Sequence, residues 1–348
     1  MVLIILFLAS WQVLNTPTDE DLLGLFFIDH NHGWVVGRND VILYTSDGGD
    51  SWDIQNSTTN YYDLYDVVFT DPYQGWVCGW NGSSGFGVII GTTNGGNTWR
   101  LQAGTGQASF TEGIDFVDNS FGWAVGYDIF SSASQSLRTT NGGNDWFDYT
   151  LPYTGYLKGV DFISQGTGLA CGSYGLLIKS TDGGINWSEI PTGISQTLYQ
   201  LKVFDENNII IAGDTFLLTT DGGTNWIFRP IGGLRSLSFL SMAEGWVCGT
   251  GIFRTIDSGQ TWIPETTGVG VKLNAIAMLD TIHGFAAGDN GIFLRRTIPP
   301  SISEETLISK MRLPYGIYDI TGRKVAQVRK GIYFIVDDSG VRKVVRLK

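Results

Sequence analysis

Apolar residues alternate with polar ones in seven short runs spaced along the chain: LLGLFFID (22–29), LYDVVFTD (64–71), TEGIDFVD (111–118), LKGVDFIS (157–164), LYQLKVFD (198–205), LRSLSFLS (234–241) and LNAIAMLD (273–280). Apolar positions fall two apart, as in Leu25/Phe27, Val67/Phe69 and Ile114/Phe116. That is the period of a β-strand with one buried face. A second strand follows each run, as in GWVVG (33–37) and GWVCG (75–79 and 245–249). A third follows in turn, as in VILYT (41–45) and FLLTT (216–220), and a fourth starts at a tryptophan after a polar turn.

The turn recurs six times: TSDGGDSW (45–52), TTNGGNTW (92–99), TTNGGNDW (139–146), STDGGINW (180–187), TTDGGTNW (219–226) and TIDSGQTW (255–262). Its tryptophans lie 47, 47, 41, 39 and 36 residues apart. Periods near 40 with four short strands each describe propeller blades. Seven first strands predict seven blades, although only six turns exist. Thr297 falls where Thr255 falls in the sixth period, but Pro299 takes the place of Asp257. Proline cannot donate to a central ladder, so the chain leaves the sheet there. The missing outer strand is expected to be WQVLN (11–15), because Trp11 lies 41 residues before Trp52 and has no turn ahead of it. Closing the ring in this way removes an exposed sheet edge. The expected fold is all-β: a seven-bladed β-propeller over 11–298 closed by the N-terminal strand, a linker at 299–314, and a small C-terminal β appendage at 315–348.

The repeated turn reads as scaffold. Asp47, Asn94, Asn141, Asp182, Asp221 and Asp257 can accept hydrogen bonds from nearby backbone amides, and the glycines supply positive φ. Six near-identical turns around a ring do not bring different groups to one point, so no catalytic residue is assigned to them.

Composition agrees with this architecture: 47 glycines, 12 tryptophans and only 16% charged residues suit short strands joined by tight turns. The net charge of −12 repels phosphate backbones and argues against a nucleic-acid partner. Cys78, Cys171 and Cys248 share one slot of the second strand, which elsewhere holds Val36, Val125, Ala212 or Ala287. They read as small buried strand residues. With no CxxC pair and no Cys/His cluster, neither a disulfide framework nor a metal or cofactor is expected. His30, His32 and His283 fall in turns between first and second strands. A solvated turn is preferred there over metal binding by His30 and His32. MVLIILFLAS (1–10) has the length of a signal-peptide core and is too short to span a bilayer as a helix. It lacks the usual basic n-region, as a truncated start would, and cleavage is expected near Ala9 or Ser10.

Two candidate binding sites emerge where the blades differ. Enlarged loops after the second strands of blades two and three, with neighbouring inter-blade loops, carry Trp80, Phe86, Tyr61, Tyr62, Tyr127, Phe130, Tyr153 and Tyr156. These rings are expected in one sector of one face. They suit a sugar- or peptide-binding surface, or they pack the loops onto the blades. Variable first-strand positions hold Asp66, Glu112, Asp115, Lys158, Asp161, Lys202 and Arg235. Mixed charge around an axis suits a polar ligand at the channel mouth, or a self-neutralising, water-filled channel.

The turn S/T-x-D-x-G-x-x-W is the Asp-box, or BNR repeat. Here it is joined to F-x-D-x-x-x-G-W-x-V-G, as in FFIDHNHGWVVG (26–37), FTDPYQGWVCG (69–79) and FVDNSFGWAVG (116–126). The combination resembles the photosystem II stability/assembly factor family of seven-bladed propellers over roughly residues 11–298. That resemblance implies binding to assembly intermediates of a membrane complex. The Asp-box also resembles sialidases, which carry an arginine triad and an N-terminal FRIP-like motif. Here LLGLFFID holds no arginine, and Arg38, Arg100, Arg138, Arg229, Arg235, Arg254, Arg295 and Arg296 are placed where three do not readily converge. The stretches YGIYDITGRKV (315–325) and KGIYFIVDDSGVRKVVRLK (330–348) resemble a type IX secretion C-terminal sorting domain in shortened form. That implies contact with the type IX secretion machinery, and export to the outside or outer surface of a Gram-negative cell. The expected function is therefore a secreted or cell-surface, monomeric, non-catalytic propeller that binds a protein or glycan. An Asp-box glycoside hydrolase and a membrane-complex assembly factor are the alternatives. Deleting residues 11–15 is expected to lower the melting temperature of the whole ring; an unchanged transition would refute closure by that strand.

Overall fold

The computed structural model describes residues 10–57, 61–82, 84–103 and 109–297, and three C-terminal strands at 316–319, 331–337 and 340–346. The rest of the expected signal segment, 1–9, and the linker 299–314 lie outside the described residues. Residues Trp11–Thr297 form one compact unit. In the other, Gly316–Asp319, Gly331–Asp337 and Gly340–Arg346 form a three-stranded antiparallel sheet in sequence order.

Seven four-stranded sheets make up the large unit. Six are consecutive meanders. The first runs through Leu22–Phe27, Gly33–Gly37, Ile42–Thr45 and Asp53–Ile54. The seventh takes Leu273–Met278, Gly284–Gly288 and Phe293–Thr297 from the end of the propeller, and its fourth strand is Ser10–Leu14. The ring is closed by the N-terminal strand, as the sequence spacing predicts.

One packing unit repeats at the joints between blades one and four. In blades two to four the last phenylalanine of the first strand pairs with the glycine that opens the second: Phe69 with Gly75, Phe116 with Gly122, Phe162 with Gly168. The ring lies flat across that glycine. A Cβ on Gly122 would stand 2.3 Å from the Phe116 ring, so only glycine fits. The preceding blade's tryptophan covers the other side of the same ring. Trp34 on Phe69, Trp76 on Phe116 and Trp123 on Phe162 each stack at 3.6 Å between centroids. The indole N–H then donates to the next blade's polar turn, from Trp34 to Gly95 O (3.3 Å), Trp76 to Gly142 O (3.2 Å) and Trp123 to Gly183 O (2.7 Å). Finally the turn's own tryptophan meets the phenylalanine edge-on: Trp99 on Phe69, Trp146 on Phe116 and Trp187 on Phe162. Trp52, Trp146 and Trp262 make such edge contacts, but their indole N–H groups have no hydrogen-bond partner among the described residues.

The polar turns hold their shape through their own side chains. Thr45 Oγ1 donates to Asp47 Oδ1 (2.8 Å) and accepts from Gly49 N (2.8 Å), while Asp47 Oδ1 accepts from Ser51 N (2.9 Å). Gly48 and Gly49 take φ of 71° and 90°. Hydrogen bonds from Ser51 pull the Asp47 carboxyl down to about 2. Asn94, Asn141, Asp182, Asp221 and Asp257 repeat the arrangement.

No such turn is described in blade seven, and a buried ion pair takes its place. Trp246 donates to Glu265 Oε1 (3.2 Å) instead of a glycine carbonyl, and Trp11 of the closing strand donates to Glu265 Oε2 (2.8 Å). Arg296 grips the same carboxylate with Nε (3.0 Å) and NH2 (2.8 Å). The Arg296 and Glu265 side chains are only 2% and 8% exposed. Glu265→Ala leaves Arg296 buried without its partner and removes the acceptor for both tryptophans. It is expected to cost about 3–5 kcal/mol of stability by denaturant unfolding; a loss below about 1 kcal/mol would show that the seam does not depend on this pair.

Candidate functional site

First strands line the axis of a propeller, and here their polar side chains do two different jobs. Along the channel they tie blades together. Asp66 Oδ2 accepts from Ile114 N of the next blade (3.1 Å), Asp115 Oδ2 from Phe162 N (2.7 Å), and Asp161 Oδ2 from Val203 N. Gln200 Oε1 accepts from Leu237 N (2.8 Å), Ser236 Oγ from Ile276 N (3.1 Å) and Ser238 Oγ from Met278 N (2.9 Å). The remaining carboxylate oxygens are also engaged: Asp66 Oδ1 by Val67 N, Asp115 Oδ1 by Phe116 N, Asp161 Oδ1 by Lys202 Nζ. Burial raises the Asp66 carboxyl to about 7 against the pull of the amides of Ile114 and Val67. Burial also raises Asp115 and Asp161; the Asp161 charge adds to the rise at Asp115, and Lys202 opposes it at both.

Toward one end the channel widens into a cavity of about 310 Å³. Of the seven charged residues expected at a mouth, Asp66, Glu112, Lys158 and Arg235 line it, whereas Asp115, Asp161 and Lys202 do not. Arg38, Tyr65, Tyr199, Gln200, Lys272 and Asn274 line it as well. Arg38 follows the glycine that ends a second strand and Lys272 immediately precedes a first strand. A search confined to positions within first strands passes over both. Their signal was the strand-flanking slot itself, which in a propeller faces the same mouth.

The mouth is basic within an acidic chain. Arg38, Lys158, Arg235 and Lys272 line the cavity with two carboxyl groups, Asp66 and Glu112; burial weakens the charge of Asp66, and beside the lining Asp21 pairs with Arg38 at 3.2 Å. Glu112 is taken by Lys158 at 2.6 Å. The Arg235 guanidinium lies 4.0 Å from the centroid of the Tyr199 ring, which holds it as a flat donor facing the cavity. Desolvation and the neighbouring Arg235 charge lower the Lys272 pKa, opposed by Asp289 and Asp21. An added anion would relieve that repulsion.

An aromatic ladder runs outward from this mouth. Tyr65 stacks on Trp80 (6.1 Å), Trp80 meets Phe110 edge-on (4.4 Å), Phe110 touches Tyr156 (6.0 Å), and Tyr156 stacks on Tyr127 (3.9 Å). Burial, with Glu112 and Asp63 nearby, pushes the Tyr65 phenol up to about 12. Trp80, Tyr127 and Tyr156 thus come together, with Tyr65 and Phe110 added. Tyr61 and Phe130 are exposed, at 81% and 74%, with no ring contact described. Phe86 is half-buried. Tyr62 packs on the core between blades one and two, and Tyr153 packs on that of blades three and four, donating its hydroxyl to Trp187 O (3.1 Å). For Tyr62 and Tyr153 the expected clustering gives way to core packing, because their rings face inward from the inter-blade loops.

A family model described as photosynthesis system II assembly factor YCF48 matches residues 5–62. Over 53 residues the chain is 36% identical to the photosystem II assembly protein Ycf48 of Thermosynechococcus vestitus, covering 15% of each protein. Over 44 residues it is 46% identical to the photosystem II assembly lipoprotein Ycf48 of Prochlorococcus marinus, covering 13% of each. These matches therefore span a small part of the relatives' length. A solved structure of YCF48 bound to D1 peptide superposes with a TM-score of 0.65 at 22% identity, covering 82% of this chain and 96% of that one. YCF48 from Cyanidioschyzon merolae gives 0.67 at 21%, covering 83% and 99%. Virginiamycin B lyase from Staphylococcus aureus gives 0.68 at 15%, with the same coverage. At these identities the superpositions show a shared seven-bladed fold.

The raised Asp66 carboxyl has a pH consequence. Its folded value near 7 exceeds the unfolded value, so its stabilising contribution is complete below about 4 and is lost as pH rises through about 7. Asp66→Ser copies the role of Ser236 without a titrating group. Melting temperatures across this range are expected to show the native chain losing stability relative to the variant as pH rises; a constant difference would contradict the assignment.

Proposed function

We propose that the chain is a non-catalytic propeller that holds a carboxylate-bearing polypeptide segment at the basic axial mouth, in the service of assembling a membrane protein complex. The observation that carries this reading is the set of four cations, Arg38, Lys158, Arg235 and Lys272, around one cavity in a chain of net charge −12. A net acidic chain repels anions, so an anionic segment is steered to this basic mouth. The cavity, about 310 Å³, is at the low end of ligand pockets and suits a chain end or an acidic side chain. The aromatic ladder offers a path along which the rest of the segment can lie.

The comparisons support the protein-partner reading: local relatives are named assembly proteins, and one propeller of the same fold was solved with a bound peptide. A glycan partner and delivery by the type IX machinery rest on sequence resemblance; the N-terminal apolar run and the sorting-like tail support placement outside the cytoplasm. A hydrolase would need a pair of free carboxyls. In the channel Asp66, Asp115 and Asp161 have both oxygens committed to backbone amides or Lys202, and Glu112 is paired with Lys158.

The test is fluorescence anisotropy with labelled peptides that differ only in acidic or amide residues near the C-terminus. Acidic peptides are expected to bind more tightly, and less so as salt shortens the screening length. Arg235→Ala or Lys272→Gln is expected to cost about 1.5–3 kcal/mol, roughly tenfold or more in affinity. Trp80→Ala should weaken longer peptides more than short ones. Equal binding of acidic and amide peptides would refute the reading.

A further inference from the structure

We propose that His30, Asp280 and His283 form a divalent transition-metal site that bridges blades seven and one, where the ring closes. The chain contains only three histidines, and two of them meet here from different blades. His30 lies in the turn after the first strand of blade one, and His283 in the equivalent turn of blade seven. Their ring centroids are 4.0 Å apart. Asp280 Oδ2 stands between them, 3.2 Å from His30 Nε2 and 2.8 Å from His283 Nδ1.

These separations fit a metal. Ligand atoms on a tetrahedral ion with bonds of about 2.0–2.1 Å lie roughly 3.3 Å apart, and one potential donor atom from each of the three residues falls within 4.8 Å of the others. Without an ion, a single carboxylate oxygen serves two imidazoles. With one, each of the three donors has a partner, and a fourth position stays open to water. Two imidazoles and a carboxylate suit zinc, cobalt, nickel or copper rather than calcium or magnesium.

The donors are also held in place. Asp280 divides its oxygens: Oδ1 accepts from the backbone N–H of Ile282 and of His283, both at 2.7 Å, and fixes the turn, which leaves Oδ2 facing the imidazoles. Asp29 does the same in blade one, where its Oδ1 takes the amides of Asn31 (2.7 Å) and His32 (2.8 Å). Its carboxylate also holds the His32 ring, so His32 is directed to Asp29 and His30 is the histidine that faces blade seven. Arg296 donates to Thr281 O, which connects this turn to the buried Glu265–Arg296 pair beneath the closing strand. An ion here would cross-link the last blade to the first at the seam that the N-terminal strand completes.

The experiment titrates zinc, and cobalt as a spectroscopic probe, into the chelator-treated full chain. The expected result is one ion per chain, a raised melting temperature through binding to the folded state, and tetrahedral-type cobalt absorption in the visible. His30→Asn and His283→Asn are each expected to lower affinity by about tenfold or more, while His32→Asn leaves it unchanged. Asp280→Asn, which keeps an oxygen acceptor for the turn, should also weaken binding with the fold intact by circular dichroism. No saturable binding, or binding unaffected by the His30 and His283 substitutions, would overturn the proposal.

Discussion

The propeller depends on a flat aromatic ring held between two blades. A phenylalanine can lie across its cross-strand partner only if that partner is glycine, and only then is its outer face free for the previous blade's tryptophan. At the three joints from blade one to blade four the stacked pair removes a large apolar area from water, and the tryptophan's polar edge is satisfied by a carbonyl of the next turn. The phrase that recurs along the chain, phenylalanine, then glycine-tryptophan, then a polar turn, is the linear record of this contact. Each part belongs to a different strand or blade, so no part is useful without its neighbours. Where aromatic residues are missing, aliphatic ones fill the joint, as Leu169 and Val203 do between blades four and five.

That construction leaves the axis and the two faces available for other work. Inside the channel, polar side chains are used up in linking first strands, which makes the carboxylates structural in spite of their shifted protonation. On one face, Lys158 of a first strand and the strand-flanking Arg38, Arg235 and Lys272 gather four cations beside an aromatic ladder. On the opposite face, the turns are rigidified by their own side chains, and at the seam between blades seven and one they bring two histidines and an aspartate together. The neighbouring joint, between blades six and seven, replaces a turn carbonyl with a carboxylate, since Trp246 and the closing strand's Trp11 both donate to Glu265.

The fold was legible because its determinants are local and repeated. Strand alternation, the glycine-tryptophan phrase and the spacing of turn tryptophans each report the same blade, and the displaced Trp11 reports the closure. The site was legible only in part. Asp66 and Arg235 sit in adjacent slots of the first-strand run, the third and the second; Asp66 is consumed by amides of its own and the neighbouring strand, whereas Arg235 stacks on Tyr199. The register of the run separates the two slots but does not show what each one meets, because the partner lies about 40 residues away in the adjacent blade. Arg38 and Lys272 were missed for the opposite reason: they flank strands, and their convergence is a property of the ring. The pairing of His30 with His283 follows from closure as well, since it joins the first blade to the last.

The central claim is that the basic axial mouth is where a polypeptide partner is held. It is tested most directly by locating a bound acidic peptide on the full chain, through backbone-amide chemical-shift mapping of the isotope-labelled protein. Shifts are expected to concentrate at Arg38, Lys158, Tyr199, Arg235 and Lys272, and to extend along Trp80 and Tyr127. Shifts confined to the opposite face, or to the outer strands, would contradict it.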